Sequence, residues 1–267
     1  MDRNEKLLEV DQLSVGYGNG EMAVCEVSFS VPKGGIMAIV GESGSGKSTL
    51  IRAVMGLLPA GGRIESGRIR FDGRDLAGLS REETRRIRGE EIGMIFQNAG
   101  EYLNPRRKIG SQYLEAMKYH LPLSKEERRE EALRMLSSMK LPDPERIMRS
   151  YPFQLSGGMR QRAAIAMAMS LSPRLLMADE PTSALDVTVQ AQVVQEMVSM
   201  REKFGTAIVL VTHNLGVAAR IADQIMVLRR GKVMELGSRD QVIKSPKSDY
   251  TRELLAAVPE LEGNQVG

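Results

Sequence analysis

The chain has 267 residues with 37 Lys and Arg against 34 Asp and Glu, which leaves a formal net charge of +3 at pH 7. Such a balance gives no reason to expect a nucleic-acid partner, and the length suffices for one large domain or for a core with a lobe. The single cysteine, Cys25, excludes an internal disulfide and a cysteine-based metal cluster. No signal-type segment follows the N-terminus, and no apolar run reaches the roughly 18 residues that a bilayer span needs. We therefore expect a cytosolic protein that another protein would have to anchor at a membrane.

The first third of the chain is rich in strand signals. Alternating or fully apolar runs predict these strands: Leu7–Val15, Ala23–Val31, Ile36–Val40 and Gly67–Phe71. The first two are separated by a predicted turn over Gly16–Gly20, which contains the hairpin signal Asn19-Gly20. A helix is expected after Ile36–Val40, and it breaks near Gly56–Gly62.

Helical periodicity dominates between Asn98 and about Ser170. Ser124 and Glu127 predict a capping box, and the helix that follows is expected to end at Pro142 and Pro144. The apolar side of that helix is predicted to carry Ala132, Leu133, Leu136 and Met139. The other predicted elements are a short helix capped by Ser80 and Glu83, strands at Ile92–Phe96, Leu175–Ala178, Ala207–Thr212, Ile225–Leu228 and Val233–Leu236, a helix at Val187–Lys203, and two short C-terminal helices, one near Tyr250–Ala257.

These elements predict an α/β core with an inserted helical lobe. We place the core at residues 1–97 and 171–235, the helical lobe at 98–170 and a C-terminal extension at 236–267. The chain shows no internal repeat and no low-complexity segment.

The stretch Gly41–Thr49 matches a phosphate-binding loop, in which a glycine and four free positions precede Gly-Lys-Ser. A predicted strand precedes it and helical spacing follows it, as the motif requires. Lys47 is predicted to reach the β- and γ-phosphates of a nucleotide, and the Ser48 hydroxyl to ligate Mg²⁺. The residues expected to contact the nucleotide are Gly41, Glu42, Ser43, Gly44, Ser45, Gly46, Lys47, Ser48 and Thr49. The alternative is an ordinary Gly/Ser-rich surface turn.

Two acids follow the apolar run that begins at Leu175. Beside a phosphate loop, Asp179 is predicted to hold the Mg²⁺ shell through water. Glu180 is predicted to accept a proton from the attacking water or to orient it. Taken alone, two acids at a strand end also fit a surface turn.

A second anion site is predicted where Ser156, Gly157 and Gly158 open a helix. Backbone N–H groups at a helix N-terminus attract anions. One chain cannot easily aim both anion sites at one γ-phosphate, whereas two chains packed head-to-tail can. The sequence therefore predicts a dimer that ATP closes.

The chain resembles the nucleotide-binding subunit of an ABC transporter over nearly all of residues 7–258. Gly41–Thr49 resembles the Walker A loop, Leu175–Glu180 the Walker B strand and Leu155–Gln161 the signature motif. Further positions that match the family in order are Gln97 at the Q-loop, Ser183–Asp186 at the D-loop, His213 at the switch position and Tyr17 at the A-loop. The resemblance implies an ABC-type P-loop NTPase core with an N-terminal antiparallel β region and a helical lobe.

Roles for the remaining positions follow from that resemblance. The resemblance implies that Tyr17 stacks on adenine, that Gln97 contacts Mg²⁺ and passes motion to a membrane subunit, and that His213 contacts the γ-phosphate. The resemblance makes Glu180, His213, Gln97 and Lys47 the catalytic set, and Ser48, Gln97 and Asp179 the metal set. Asp186 is expected to shape the dimer interface. The alternatives are a packing role for Tyr17, a structural role for His213 and a plain strand-end role for Gln97.

The resemblance narrows to the peptide/nickel group of importers. The segments that match this group are Ala178–Val193, Leu103–Pro105 and Tyr250–Leu255. Asn98–Tyr102 departs from the stretch that the group usually carries after the glutamine. The C-terminal cysteine cluster of several peptide-importing members is also missing, which favours nickel or another metal chelate as the cargo.

We therefore expect an ATP- and Mg²⁺-dependent ATPase that energises a membrane importer for peptides, nickel or a metal chelate. Its expected partners are integral membrane permease subunits, a second ATPase subunit that is identical or paralogous, and indirectly an extracytoplasmic binding protein. The expected location is the cytoplasmic face of the inner or plasma membrane, as a peripheral subunit. The alternative is an ABC-type ATPase of a soluble complex such as carbon–phosphorus lyase.

Overall fold

A computed structural model of the protein describes residues 5–18, 20–182, 185 and 187–257. The chain divides into two compact units: the first holds the residues up to Ser80 and from Ala207 onward, and the second is Arg81–Thr206. The boundaries of these compact units differ from those predicted for the core, the helical lobe and the C-terminal extension. The three predicted segments therefore stay a prediction. Within the described ranges, no helix has the length and apolar character that a membrane crossing requires.

The described residues form both strands and α-helices. The strands are β1 (Lys6–Tyr17), β2 (Met22–Pro32), β3 (Ile36–Val40), β4 (Gly62–Phe71), β5 (Arg74–Asp75), β6 (Ile92–Ile95), β7 (Leu175–Asp179), β8 (Ala207–Thr212), β9 (Gln224–Arg229) and β10 (Lys232–Ser238). The helices are α1 (Lys47–Val54), α2 (Arg81–Arg86), α3 (Ile109–Lys118), α4 (Lys125–Ser138), α5 (Pro144–Arg149), α6 (Gly157–Met169), α7 (Val187–Phe204), α8 (Leu215–Ile221), α9 (Arg239–Lys244) and α10 (Asp249–Ala256).

The first unit contains an antiparallel sheet in the order β2-β1-β4-β5. β1 and β2 form the predicted hairpin, but the turn begins after Tyr17 rather than at Gly16, because β1 continues to Tyr17 and Gly16 pairs with Met22. Asn19, part of the hairpin signal, lies outside the described residues. β4 begins at Gly62 rather than at Gly67, since it pairs with β1 as far as Tyr17. The added half of β4 is exposed and lacks the apolar alternation that reveals a strand.

The first unit also contains a mixed set of strands in the order β10-β9-β3-β8. β3 lies between β8 and β9 and is parallel to both. Every residue of β3 and of β8 is buried. Strands covered on both faces read as continuous apolar runs, which explains why these two could be recognised from sequence.

The second unit pairs β6 with β7 in parallel and is otherwise helical. The capping box of α4 is confirmed: the Ser124 hydroxyl accepts from the Glu127 N–H at 3.1 Å, and the Glu127 carboxylate accepts from the Ser124 N–H at 2.7 Å. The predicted end of this helix is wrong, because α4 stops at Ser138 and Lys140 adopts a positive φ of 50° before either proline. Ala132, Leu136 and Met139 are buried as predicted, and Met135 is buried as well, whereas Leu133 is only half-buried.

Candidate nucleotide-binding site

The loop between β3 and α1 approaches its neighbours too closely for side chains at two glycines. A Cβ on Gly41 would lie 2.1 Å from the Leu228 carbonyl oxygen, at the end of the adjacent strand β9. A Cβ on Gly46, where φ is +101°, would lie 2.3 Å from the Ala23 carbonyl oxygen. Gly46 is also the residue immediately before α1. The loop therefore places the N-terminus of α1 directly after a tightly packed turn, as an anion site requires.

Lys47 is buried, with a relative exposure of 5%. Its ammonium group donates to the carbonyl oxygens of Gly41 at 2.8 Å and of Glu42 at 2.7 Å, and to the Ser45 hydroxyl at 3.3 Å. A buried ammonium group needs such acceptors, because leaving it unpaired is costly. The ammonium group of Lys47, which is predicted to bind phosphate, is thus already held in place by acceptors of its own loop.

Tyr17, at the end of β1, contacts the helix that follows the loop. Its hydroxyl forms a 3.3 Å hydrogen bond with the Thr49 hydroxyl. A Cβ on Gly62 would approach the Tyr17 ring to 3.0 Å, so β4 packs against one edge of that ring. The ring is half-buried. Tyr17 and Thr49, both predicted to contact the nucleotide, are therefore neighbours.

His213 leaves its strand beside the phosphate loop. Val40, the last residue of β3, pairs with Thr212, the last residue of β8, in a parallel register. Gly41 and His213 therefore follow neighbouring strands at the same end, where adjacent strands are about 4.8 Å apart. His213 is exposed, and the next residue, Asn214, caps α8 through its side chain.

In the second unit, the predicted acids and Gln97 also follow neighbouring parallel strands. Ile95 of β6 pairs with Ala178 of β7, so Gln97 and Asp179 emerge at the same end of the pair. Asp179 is buried at 1% exposure, whereas Gln97 is exposed. Glu180 has a φ of +44°, which is uncommon for a residue other than glycine. Backbone strain of this kind clusters at functional sites.

Ser156 is the N-cap of α6, and its hydroxyl accepts from the Met159 N–H at 3.3 Å. The prediction that Ser-Gly-Gly opens a helix is confirmed. A Cβ on Gly157 would meet open space, whereas one on Gly158 would lie 3.0 Å from a methyl group of Val189. Ser156 and Gly157 are exposed, so this N-terminus is accessible to an anion.

Gln161, to which the sequence patterns assign no role of its own, lies between two segments of the site. Its side chain is 5% exposed. Its carboxamide oxygen accepts from the Gly100 N–H at 3.2 Å, and its amide group donates to the Pro181 carbonyl oxygen. Gln161 therefore connects the segment after Gln97 to the residue directly after Glu180. Only its place inside the signature motif could have pointed to it.

The predicted site residues thus fall into three groups. The first unit brings together Tyr17, Gly41–Thr49 and His213. In the second unit, Gln97 lies with Asp179 and Glu180 at one end of the β6–β7 pair, and Ser156, Gly157 and Gly158 form the start of α6. Ser183, Ala184 and Asp186 of the predicted D-loop lie outside the described residues. A buried strand, a glycine loop with an ordered buried lysine, and a helix that starts at that lysine define the class of the protein: it is a nucleotide-binding protein of the phosphate-loop type.

Comparisons with known proteins identify the family. The model of the ABC transporter family matches residues 24–183. The chain is 44% identical over 268 residues to the oligopeptide transport ATP-binding protein OppD of Bacillus subtilis, covering 99% of this chain and 75% of that protein. It is 46% identical over 264 residues to the dipeptide transport ATP-binding protein DppD of the same organism, covering 97% of this chain and 79% of that protein.

Solved structures agree on the fold. The ATP-binding cassette MJ0796, solved as a dimer in a post-hydrolysis state with ADP and Pi, is 30% identical, with a TM-score of 0.77 over 87% of this chain and 98% of that one. CbiO1 of Clostridium perfringens, part of the ABC transporter complex CbiONQ, is 26% identical, with a TM-score of 0.80 over 96% of this chain and 97% of that one. The chain belongs to the ABC transporter family and is the ATP-binding, ATP-hydrolysing type of subunit. The predicted family and fold class are confirmed.

Proposed function

We propose that this chain binds and hydrolyses ATP to energise a membrane importer for peptides. The observation that carries the proposal is the identity of 44% to 46% over nearly the whole chain to subunits named for oligopeptide and dipeptide transport. Peptides are preferred to nickel or a metal chelate because these relatives are named for peptides. No feature of the described residues favours the soluble carbon–phosphorus lyase type of complex.

ATP is proposed to bind along the first unit, from Tyr17 to the N-terminus of α1. The half-buried Tyr17 ring supplies a face for adenine, since aromatic rings stack on flat ring systems. The N–H groups after Gly46 and the ammonium group of Lys47 receive the phosphates. Lys47 is held by three acceptors of its own loop, so little freedom remains to be lost when the phosphates replace some of them.

Ser48, Gln97 and Asp179 are proposed as the residues that would hold Mg²⁺. Hydroxyl, amide and carboxylate oxygens are the donors that a hard cation prefers, and Asp179 is a buried carboxylate. When bound, Mg²⁺ would neutralise charge on the phosphate oxygens. Glu180 is proposed to orient and deprotonate the attacking water, and His213 to contact the γ-phosphate. The chain's contribution is then positioning and charge stabilisation rather than covalent catalysis.

A second ATPase subunit is proposed to complete each site through its own Ser156, Gly157 and Gly158. The exposed N-terminus of α6 supports this arrangement, as does the dimeric state of the similar cassette MJ0796. ATP would favour the closed pair, and hydrolysis would release it. We further propose that integral membrane permease subunits hold the pair at the cytoplasmic face, with motion relayed through Gln97 and the predicted lobe 98–170, and that an extracytoplasmic binding protein delivers the peptide.

The test uses cells that carry the chain as their only copy, either unchanged or with Lys47→Ala, and follows uptake of a labelled tripeptide and of labelled nickel. The matched control is Ala at the exposed Lys118. We expect Lys47→Ala to abolish tripeptide uptake and to leave nickel uptake unchanged. Loss of nickel uptake alone would reject peptides as the cargo. Pull-down in mild detergent should recover multi-span membrane proteins, and recovery of a soluble enzyme complex without them would reject the importer.

A further inference from the structure

The C-terminal helix α10 touches the phosphate loop of the same unit. The Tyr250 hydroxyl accepts a hydrogen bond from the Glu42 backbone N–H at 3.4 Å, a contact between residues 208 positions apart. Tyr250 is 3% exposed, and Glu42 is the second residue of the loop. A residue outside every recognised nucleotide motif therefore binds the loop backbone directly.

Glu42 is held on both sides of its position in the chain. Its N–H donates to Tyr250, while its carbonyl oxygen accepts from the Lys47 ammonium group at 2.7 Å. The residue before it, Gly41, is fixed against β9, because even a Cβ there would lie 2.1 Å from the Leu228 carbonyl oxygen. The Glu42 N–H lies in the same peptide plane as the Gly41 carbonyl oxygen, which accepts from the Lys47 ammonium group at 2.8 Å. The hydroxyl of Tyr250 thus helps to orient an acceptor that Lys47 uses.

Tyr250 is itself fixed by its surroundings. The guanidinium carbon of Arg229, which follows Leu228 on β9, lies 4.3 Å from the centroid of the Tyr250 ring, in cation–π geometry. The start of α10 is tied to β10, because the Glu235 carboxylate accepts from the N–H groups of Lys247 at 2.8 Å and Ser248 at 3.1 Å. Burial raises the pKa of the Tyr250 phenol from its ordinary value of 10.0. The hydroxyl is consequently presented to the loop by a rigid support.

We propose that Tyr250 is a positioning residue for nucleotide binding: through the Glu42 backbone it preorganises the phosphate loop, and it couples helix α10 to the occupancy of that loop. The inference rests on the proposed nucleotide site and adds a residue and an element to it. Because coupling is reciprocal, a nucleotide that binds the ordered loop more tightly must also stabilise α10. The fold thus connects the C-terminal helix with the first step of the ATPase cycle.

The test compares the unchanged chain with Tyr250→Phe, which removes the hydroxyl and keeps the ring that packs on Arg229. Tyr119→Phe is the matched control, since Tyr119 is 66% exposed. Affinities for ATP and ADP are measured by calorimetry, and steady-state hydrolysis is measured at saturating Mg-ATP. Loss of one neutral hydrogen bond predicts a loss of about three- to tenfold in affinity for both nucleotides. We expect KM to rise by a similar factor while kcat stays unchanged, and the thermal midpoint without nucleotide to fall by no more than about 6 °C, as the loss of one neutral hydrogen bond allows.

A second readout is the exchange of backbone amide hydrogens. Amide hydrogen exchange in Asp249–Ala256 of the unchanged chain should slow when ADP is added, and this protection should shrink in Tyr250→Phe. The positioning role would be overturned if the unchanged chain and Tyr250→Phe bound ATP and ADP with equal affinity. It would also be overturned if ADP did not change the rate of amide exchange in α10. A fall in the thermal midpoint with unchanged affinity would reduce Tyr250 to a packing residue. If the unchanged chain binds no nucleotide at all, the proposed nucleotide site itself fails, which is a separate result.

Discussion

Two glycines of the phosphate loop form a matched pair for testing why the loop must pack so closely. Both have positive φ, +77° at Gly44 and +101° at Gly46. A Cβ on Gly44 would meet nothing within 4 Å, whereas a Cβ on Gly46 would lie 2.3 Å from the Ala23 carbonyl oxygen. Alanine therefore pays the cost of a left-handed backbone at both positions. Only at position 46 would its Cβ also collide with the Ala23 carbonyl oxygen.

The magnitudes follow from these environments. The left-handed conformation costs about 1–2 kcal/mol for a residue other than glycine, so Gly44→Ala should lower the free energy of unfolding by about that amount. Gly46→Ala must in addition push a backbone carbonyl away. The Ala23 carbonyl oxygen has little room to move, because the Gly231 backbone packs so close to it that a Cβ on Gly231 would lie 2.8 Å away. The Gly231 N–H in turn donates to the Ser45 carbonyl oxygen at 2.9 Å. We expect a total loss above roughly 3 kcal/mol, in the range of severe core substitutions.

The assay is unfolding of the purified chain without nucleotide, by heat and by urea. A loss of 1 kcal/mol lowers the thermal midpoint by about 2–4 °C in a protein of this size, so the two variants should be clearly separated. Equal destabilisation by Gly44→Ala and Gly46→Ala would refute the argument, since it would show that contact with β2 does not constrain the loop.

Two further predictions concern the helices of the second unit. Burial raises the pKa of the Glu196 carboxylate, although Arg162 at 3.7 Å and the charge of Lys140 oppose that shift. Because the pKa of Glu196 is raised in the folded state, its contribution to stability is present below its ordinary pKa of 4.5 and is lost as pH rises through the folded value. The free energy of unfolding should therefore fall less steeply with pH over that range in Glu196→Gln. An unchanged slope of unfolding free energy against pH would contradict the assignment. Ser124→Ala should lower the unfolding free energy by about 1 kcal/mol through loss of the capping box, measured by urea unfolding, and no loss would mean that the box with Glu127 stabilises nothing.

Features that depend on residues close together in the sequence were predictable from it. The loop Gly41–Thr49, the capping box at Ser124 and the start of α6 at Ser156 each depend on residues a few positions apart, whose spacing is visible in the chain. The fully buried strands β3 and β8 were also predictable, because burial on both faces leaves an uninterrupted apolar run.

Other features depend on partners that sequence spacing does not reveal. β4 begins early because β1 lies beside it, and its exposed half carries no periodic signal. The α4 helix ends at Ser138 through a positive φ at Lys140, without a glycine to announce it. The contact of Tyr250 with Glu42 joins residues at opposite ends of the chain, and the two hydrogen bonds of Gln161 join segments that only the fold brings near.

The most direct test of the proposed ATPase site is a comparison of ATP binding with ATP hydrolysis in Glu180→Gln. Glutamine keeps the shape of the side chain and removes the base, so Mg-ATP affinity should stay unchanged while phosphate release falls by at least about 100-fold. Phosphate release is measured on the purified assembly, with the same assembly carrying Glu180 as the reference. Hydrolysis by Glu180→Gln at the full rate would contradict the account, because the water would then be activated by another residue.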